Sequence, residues 1–595
     1  MAARTPYVLL DDARADGAAD AHLFENPHEI LVARRPDEVA AVLSAADAAR
    51  RDGGTLAGYI AYEAGLALEA KLAPLAAGRT GAGGPLVWLG VFDAPQIMSP
   101  GEVEDWLAAR AEGTARLGPL QPQVSPGAYA DAFAALQEAI RAGDIYQANL
   151  TFPLAGCFRG DPLALYAALR GDARSGYGGV VFDGQHWLLS LSPELFVSLK
   201  GGEAKAKPMK GTRPRAADPA ADAALADELT QSVKDKAENL MIVDLMRNDL
   251  SRVAEAGTVR VEAPFAVESY PTVHQMVTTV RARLAEGRGA MDLVRALFPC
   301  GSITGAPKIR AMELIGEVER EARGPYCGAI GRIEADGDAA FNVAIRTLRL
   351  TEIENGHGSA ILGVGSAIVA DSEPLAEWRE SHVKARFTQG AAAGFDLIEA
   401  MRFDPEEGIA LLELHLERMK ASAAALGFAF DRHAARNRIQ ALCFELEAPA
   451  KVRLLLARSG ATALEAQALR DTPDTTTCIA LPLPVDPGDL RLAHKTTDRW
   501  FYDAGTDAAK GEGAHTAIFV RDDGLVTEGM TANVFVEHDG VLLTPPAALG
   551  LLPGVLRRSL IESGAAREAE LTLDDLADGF LLGNAVRGLM AARLA

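Results

Sequence analysis

Several groups of residues in the chain have types and spacings that could do chemistry. Glu377 and Glu380 stand on one face of a segment with helical spacing. Glu238 opens a second apolar-patterned segment, Glu238-Asn-Leu-Met-Ile-Val-Asp-Leu-Met246. Clustered carboxylates suit a hard cation such as Mg²⁺, which takes one or two of them plus water and substrate oxygens. By spacing alone, the same glutamates also read as a solvated helix face. Lys210 precedes Gly211 in Pro208-Met-Lys-Gly-Thr-Arg-Pro-Arg215. A lysine held in low dielectric sheds its proton and becomes a nucleophile; a basic surface turn is the plainer reading. Gly301-Ser-Ile-Thr-Gly-Ala-Pro-Lys308 has phosphate-loop glycines but lacks the Gly-Lys-Ser/Thr ending, so nucleotide binding is not supported. Arg346, in the alternating segment Phe341–Leu350, needs an anion; a substrate carboxylate and a structural acid serve equally. Further on, Lys495 and the distant Glu528 are weak evidence by themselves, since both types usually lie on the surface.

The elements that must position these residues follow from composition and periodicity. The chain has 595 residues, 49% hydrophobic and 24% charged, which is ordinary globular composition and enough for two or three domains. A net charge of −22 disfavours nucleic acid, although a local basic cluster can still hold a small anion. No apolar run is long enough to span a bilayer, and Asp11 and Asp12 interrupt any signal-peptide block. Five scattered cysteines without a Cys-x-x-Cys fit a reducing cytoplasm, where the protein is expected. Gly- and Pro-rich residues 108–127 read as a linker, and residues 389–394 as a second boundary, giving units 1–115, 122–387 and 394–595. Helical spacing covers Ser125–Arg141. A hairpin joins Phe341–Leu350 to Ser359–Ala370, and Pro374 opens a helix with Ser372 as its cap. Two more hairpins turn at Asp523-Gly524 and Asp539-Gly540. Both large units are therefore α+β.

Taken together, Gly143-Asp-Ile-Tyr-Gln-Ala-Asn149, Ser192-Pro-Glu194, Lys210-Gly-Thr-Arg-Pro, Glu238–Asp249, Gly301–Lys308 and Glu377-Trp-Arg-Glu380 resemble the chorismate-utilising enzymes. That family includes anthranilate, isochorismate, salicylate and aminodeoxychorismate synthases, and the motifs occur in its order. The resemblance implies a β-sandwich/α fold with Mg²⁺ between Glu238 and Glu380 and Glu377 close by. It puts the enolpyruvyl carboxylate of chorismate on Tyr326, Arg346 and the Gly363-Val-Gly365 backbone, with Thr212 and Thr304 also at the substrate. Glu194 would protonate the departing C4 hydroxyl, which needs a carboxyl kept partly protonated near neutrality. Lys210 points to the aminodeoxychorismate synthase branch, because anthranilate synthases carry Ala at that place. Phe24-Glu-Asn-Pro-His-Glu-Ile30 and Gly58-Tyr-Ile-Ala-Tyr-Glu63 resemble the N-terminal region of the family. No cysteine sits in a glutaminase nucleophile pattern, so a separate glutaminase subunit supplying ammonia is expected.

Leu414-His-Leu-Glu-Arg418, Lys495, Glu528–Asn533 and Leu552-Pro-Gly-Val-Leu556 resemble, in this order, fold-type IV pyridoxal-phosphate enzymes. These include aminotransferases and aminodeoxychorismate lyase. The resemblance implies that Lys495 holds the cofactor aldehyde, that Glu528 faces the pyridine nitrogen, and that Arg418 meets the phosphate. Gly554, Val555, Thr531 and Asn533 complete the cofactor site, and a homodimer through 394–595 is compatible with this group. The two halves agree on one expectation, a bifunctional enzyme converting chorismate and ammonia to 4-aminobenzoate for folate synthesis. The competing expectation is an anthranilate synthase fused to an aminotransferase.

Overall fold

The computed structural model describes residues 5–15, 17–76, 84–216, 218–269, 273–354, 356–388, 395–469 and 473–595. The chain divides into two compact units, Met1–Ala393 and Gly394–Ala595. The boundary expected at 389–394 lies outside the described residues. The expected separation of 1–115 from 122–387 is not what the chain does, because strands from both stretches share both sheets of the first unit. Tyr7–Asp11 pairs with Tyr177–Phe182, and Thr55–Ile60 pairs with Ala329–Ile333. Nor do residues 108–127 form a free linker: Ala115–Leu117 and Gln121–Pro122 are both strapped to Gln147–Gly160. A Gly- and Pro-rich composition marks irregular backbone, and it says nothing about what that backbone lies against.

The two antiparallel sheets face each other. Val8, Phe24, Val181 and Leu188 of one pack on Tyr59, Trp88 and Ile330 of the other, all buried. The longest ladder of the first sheet joins Gln147–Gly160 to His357–Ile368. On it lie the helices Pro126–Arg141 and Pro374–Val383, the second anchored by buried Trp378, which stacks on Phe152 at 4.6 Å. Truncating such a tryptophan to Ala costs about 3–5 kcal/mol. The second sheet ends at the edge strand Met209–Pro214, against which the helix Val233–Ser251 packs.

Three local expectations change. Phe341–Leu350 is two strands rather than one: Ala339–Val343 in the second sheet and Thr347–Glu354 in the first. Alternation of side chains is the same on either side of a crossing, so periodicity alone cannot see the break. Glu238 lies inside its helix, which begins at Val233 with Ser232 as cap, the Asp235 N–H donating to Ser232 Oγ at 3.2 Å. Ser232 is a favoured cap type, whereas the polar first turn carries no apolar period to mark it. Ser372 does not cap Pro374–Val383; Glu373 holds that place, and the Ser372 hydroxyl donates to Glu377 Oε1 at 2.6 Å.

The second unit has a four-stranded sheet, built from Leu397–Asp404, Gly408–Ile409, Ala450–Leu456 and Thr462–Ala468, and an eight-stranded sheet. The larger sheet mixes antiparallel hairpins with parallel pairs that Thr476–Pro482 makes to Thr516–Val520 and Gly588–Leu594. The hairpin at Asp539-Gly540 has positive φ at both residues, 51° and 77°, the turn whose twist matches its strands.

Candidate active sites

In the first unit, two of the crossings between the sheets lie side by side, and each of these carries a candidate residue. Ser192–Leu195 carries Glu194, and Val343–Thr347 carries Arg346, whose φ of 47° makes the bend. The crossings are tied together. Val343 N–H donates to the Glu194 carbonyl at 3.1 Å, Leu191 N–H to the Arg346 carbonyl at 3.0 Å, and the Ser192 hydroxyl to the Val343 carbonyl at 2.6 Å. Glu194 is 6% exposed, and its Oε1 has no hydrogen-bond partner among the described residues. Burial pushes its carboxyl up to about 7, against Ser302 and Lys210, which favour the charged form. The Arg346 side chain has no hydrogen bond or ion pair among the described residues, and burial lowers its pKa. A guanidinium left unpaired in such a place is a ready seat for a carboxylate.

Lys210 lies on the edge strand, where Gly211 takes φ +75°, and a Cβ there would meet Asp235 Oδ1 at 2.8 Å. Only glycine lets the strand approach the helix so closely. That approach sets Lys210 in the field of Glu238. Burial lowers the Lys210 pKa, Glu238, Glu194 and Glu380 oppose the shift, and Lys384 adds to it. Glu238 makes no hydrogen bond or ion pair among the described residues; burial raises its pKa against Lys210 and Lys234. Glu380 pairs with Lys384 at 2.8 Å, and that cation outweighs burial to lower its pKa. Lys384 also donates to the Gly365 carbonyl at 2.9 Å. Glu377 instead accepts from Ser372 and is not among the groups acting on Lys210. Thr304 is fully buried, with its hydroxyl on the Cys300 carbonyl at 3.1 Å, and the Tyr326 ring lies against Gly363. Thr212 is exposed and donates to Gln275 Oε1 at 3.0 Å.

In the second unit, one cavity of about 440 Å³ is lined by Arg418, Lys495, Glu528, Thr531, Asn533, Gly554 and Val555. Burial and then Arg418 lower the Lys495 pKa to about 7, against Glu399. Burial raises the Glu528 carboxyl to about 7, while the Tyr502 hydroxyl, donating at 2.6 Å, and Leu552 N–H, at 3.1 Å, favour its anion. Arg418 donates Nε and Nη2 to the two oxygens of Glu399, at 2.8 and 2.7 Å, and Nη1 to the Pro553 carbonyl at 3.2 Å. Asn533 Nδ2 donates to the Leu552 carbonyl at 2.9 Å, and a Cβ on Gly554 would meet Asn533 Oδ1 at 2.0 Å. Gly554 caps the helix Val555–Glu562, whose first N–H groups form an anion seat beside Arg418.

The comparisons with known proteins follow this division. Chorismate binding enzymes match residues 6–390, well over half of the chain. The chain belongs to the chorismate binding enzymes. This chorismate binding enzyme also carries an amino-transferase class IV domain over residues 396–595, a fold-type IV unit. It is 40% identical over 317 residues to aminodeoxychorismate synthase component 1 of Klebsiella aerogenes, covering 50% of this chain and 69% of that one. It is 46% identical over 264 residues to anthranilate synthase component 1 of Streptomyces coelicolor, covering 43% and 50%. The crystal structure of anthranilate synthase component I from Streptococcus pneumoniae superposes with a TM-score of 0.51 at 26% identity, over 65% of this chain and 91% of that one.

The chorismate binding enzyme has functional-site residues that sequence reasoning missed. Lys384 could have been found as the i+4 neighbour of Glu380. Glu399 is a buried acid in the strand Leu397–Asp404, and His415 lies one helical turn before Arg418. Arg499 and Tyr502 gave no local signal; only the folded cavity shows them. Among the described residues, no three His, Cys, Asp or Glu side chains converge as a metal site, and no helix is long and apolar enough to cross a membrane. A cation that uses one or two carboxylates and substrate oxygens still fits, because Glu238 is half-buried and has no hydrogen bond or ion pair. The residues of this cavity fit a phosphorylated pyridine aldehyde: an anion seat at Arg418 and Gly554, the Lys495 amine and the buried Glu528 carboxyl all line it.

Proposed function

We propose that the first unit converts chorismate and ammonia to 4-amino-4-deoxychorismate and that the second removes pyruvate from it to leave 4-aminobenzoate, a folate precursor. The observation that carries the branch is Lys210, a lysine with a burial-lowered pKa beside Glu194 and Glu238. Arg346, with no partner of its own, receives the enolpyruvyl carboxylate, assisted by Tyr326 and the Gly363 and Gly365 backbone, with Thr304 behind. Thr212 stays at the rim. The Lys210 amine attacks ring C2 while Glu194, protonated near neutrality, gives its proton to the C4 hydroxyl, which leaves as water. Ammonia then adds at C4 and expels the amine of Lys210. Glu238 and Glu380 would hold Mg²⁺, with Glu377 outside the pair; a bound Mg²⁺ supplies charge neutralisation at the ring carboxylate.

In the second unit, Arg418, Gly554 and Val555 would hold the phosphate of pyridoxal phosphate, and Thr531 and Asn533 would close the site around it. Bound pyridoxal phosphate supplies an electron sink. Lys495, with a pKa near 7, is free to take the C4 proton of the substrate near neutrality. Glu528, with Tyr502 and Leu552 favouring its anion, would be the carboxylate for the ring nitrogen of the cofactor. Ammonia comes from a separate glutaminase, a reading supported by the "component 1" in the relatives' names. A homodimer through residues 394–595 remains part of this proposal, as does a cytoplasmic setting.

The second reading, anthranilate synthesis joined to an aminotransferase, draws on the 46% identity to an anthranilate synthase component. Purified protein with chorismate, ammonium, Mg²⁺ and pyridoxal phosphate separates the two. 4-Aminobenzoate is the expected product. Anthranilate would sink the branch assignment, and aminodeoxychorismate without 4-aminobenzoate would sink the lyase.

A further inference from the structure

Tyr326 has a substrate role in the proposed function, yet the backbone that presents it belongs to no ladder. Residues 319–328 run between the helix Lys308–Val318 and the strand Ala329–Ile333, with neither helix nor strand of their own. Irregular backbone keeps one conformation only where other groups take up its N–H and C=O groups. Glu63 does this from just beyond the strand Thr55–Ile60, which runs antiparallel beside Ala329–Ile333. It is 2% exposed and gives each carboxylate oxygen to one backbone N–H: Oε1 accepts from Arg323 at 2.7 Å and Oε2 from Gly324 at 2.9 Å. Tyr62 N–H adds a bond to the Gly324 carbonyl at 2.8 Å.

The Arg323 side chain ties the same point to other parts of the site. Its Nε and Nη2 donate to the two oxygens of Glu319 at 2.9 and 2.8 Å, Nη1 to the Ile303 carbonyl at 2.8 Å, and Nη2 also to the Asn149 carbonyl at 2.6 Å. Glu319 in turn accepts from Thr151 N–H at 2.8 Å, and Asn149 N–H donates to the Thr304 carbonyl at 2.8 Å. The Arg323 side chain is 1% exposed and lies over the Tyr62 ring at 4.4 Å. Arg346 offers its guanidinium to a substrate, whereas Arg323 has committed its own to protein oxygens. Past Tyr326 the segment is fixed again: Cys327 N–H donates to the Ala344 carbonyl at 3.0 Å, and Ala344 N–H to the Gly328 carbonyl at 2.9 Å. Tyr326 thus stands between two anchors with its ring against Gly363. The first anchor joins it to the segment of Thr304, the second to the crossing of Arg346.

We propose that Glu63 and Arg323 are positioning residues of the chorismate pocket: they hold residues 323–328 so that Tyr326 is set against Gly363, in register with Thr304 and Arg346, before substrate arrives. This rests on the reading of Tyr326 as a substrate contact. It gives the stretch Gly58–Glu63 a function at the site, although its side chains need not touch substrate. A buried ion pair adds little net stability, because desolvation offsets most of the attraction. What it supplies here is one fixed backbone geometry, which a binding pocket needs to within about half an ångström.

The test measures chorismate binding by calorimetry, with Mg²⁺, to the full Lys210→Ala chain, where the nucleophile is absent and substrate is not consumed. Glu63→Gln keeps the shape of the side chain but turns one acceptor into a donor facing a backbone N–H. It is expected to weaken binding about tenfold, the worth of one hydrogen bond to substrate. The deciding readout is coupling. In a chain that also carries Tyr326→Phe, no hydroxyl is left to misplace, and Glu63→Gln should weaken binding less than about twofold. Arg323→Lys, which keeps the charge but has one nitrogen for four contacts, should show the same dependence on Tyr326. Equal weakening with and without the Tyr326 hydroxyl, or none in either chain, would overturn the proposal in favour of a network that only supports the fold. Hydrogen exchange of the unmodified protein adds a reading that no variant disturbs. The Arg323 and Gly324 amides are expected to exchange slowly without substrate, and fast exchange there would equally overturn it. If the Lys210→Ala chain with Tyr326 intact binds no chorismate, the reading of the pocket itself fails and the proposal with it.

Discussion

The two units each hold a buried lysine with a lowered pKa, but in opposite electrostatic company. Lys495 stands among cations: burial, Arg418, Arg499 and Lys451 all push its proton off, and Glu399 acts against them, so it sits at about 7. Lys210 stands among carboxylates, with Glu238, Glu194 and Glu380 holding its proton on and only burial and Lys384 working against them. A cationic pocket thus delivers a neutral amine by itself. A carboxylate-lined pocket works against that, and the cation proposed on Glu238 and Glu380 would weaken the opposition. On that proposal metal and nucleophile would form one device, while in the other pocket burial and cations lower the lysine without one.

The largest test of the contrast is reciprocal deletion. Lys210→Ala should lose roughly three or more orders of magnitude in aminodeoxychorismate synthesis and still aromatise supplied aminodeoxychorismate. Lys495→Ala should do the reverse and lose the visible absorbance of the bound pyridoxal group. If Lys495→Ala keeps that absorbance and still makes 4-aminobenzoate, the reading of residues 394–595 fails.

Next come the carboxylates. Glu238→Gln and Glu380→Gln should each remove synthase turnover, by about a hundredfold or more, without touching the second unit. They should also lower the pKa of Lys210 in the absence of metal, measured by the pH dependence of its acylation. Normal synthesis by both variants would return these residues to the status of a solvated helix face. Glu194 gives a smaller, graded effect. As an acid with a pKa near 7, it must be protonated to work, so kcat/KM of the first unit should fall about tenfold per pH unit above 7. The stability sign is the same: its folded pKa is above the ordinary 4.5, so the folded state prefers the proton, and that contribution is lost as pH rises from about 4.5 to 7. A melting temperature that Glu194→Gln leaves equally pH-dependent in this window would contradict it. The smallest effect belongs to Tyr502→Phe, which deletes the 2.6 Å bond to Glu528. It should weaken cofactor retention by about 1 kcal/mol, read as dissociation of the bound chromophore.

Much of the site was legible because its motifs are local. Lys210-Gly-Thr-Arg-Pro and Leu414-His-Leu-Glu-Arg418 each lie within a few residues; Lys210 stands in the field of Glu238, Glu194 and Glu380, and Arg418 lines the cavity of the second unit. The larger failures are non-local. The merging of 1–115 with 122–387 depends on strands pairing across more than a hundred residues, as Tyr7–Asp11 does with Tyr177–Phe182, and no periodicity encodes a partner. Arg346 was read as part of one strand because a sheet crossing keeps the alternation while changing the sheet. Glu377 was grouped with Glu380 by spacing, but an i, i+3 pair shares a face and not necessarily a destination, and Ser372 claims Glu377.

The two sheet crossings have a consequence for how this scaffold can change. Glu194 and Arg346 occupy the short spans between ladders, and the sheets on either side are knit by backbone pairing that is indifferent to their side chains. Substituting there alters what the pocket does to a substrate without unravelling what holds the pocket open. Lys210, on an edge strand with its neighbour Gly211 already bent out of regular register, enjoys a similar licence. A lineage can therefore trade one ring chemistry for another by single exchanges at the seams, while the fabric inherits unchanged.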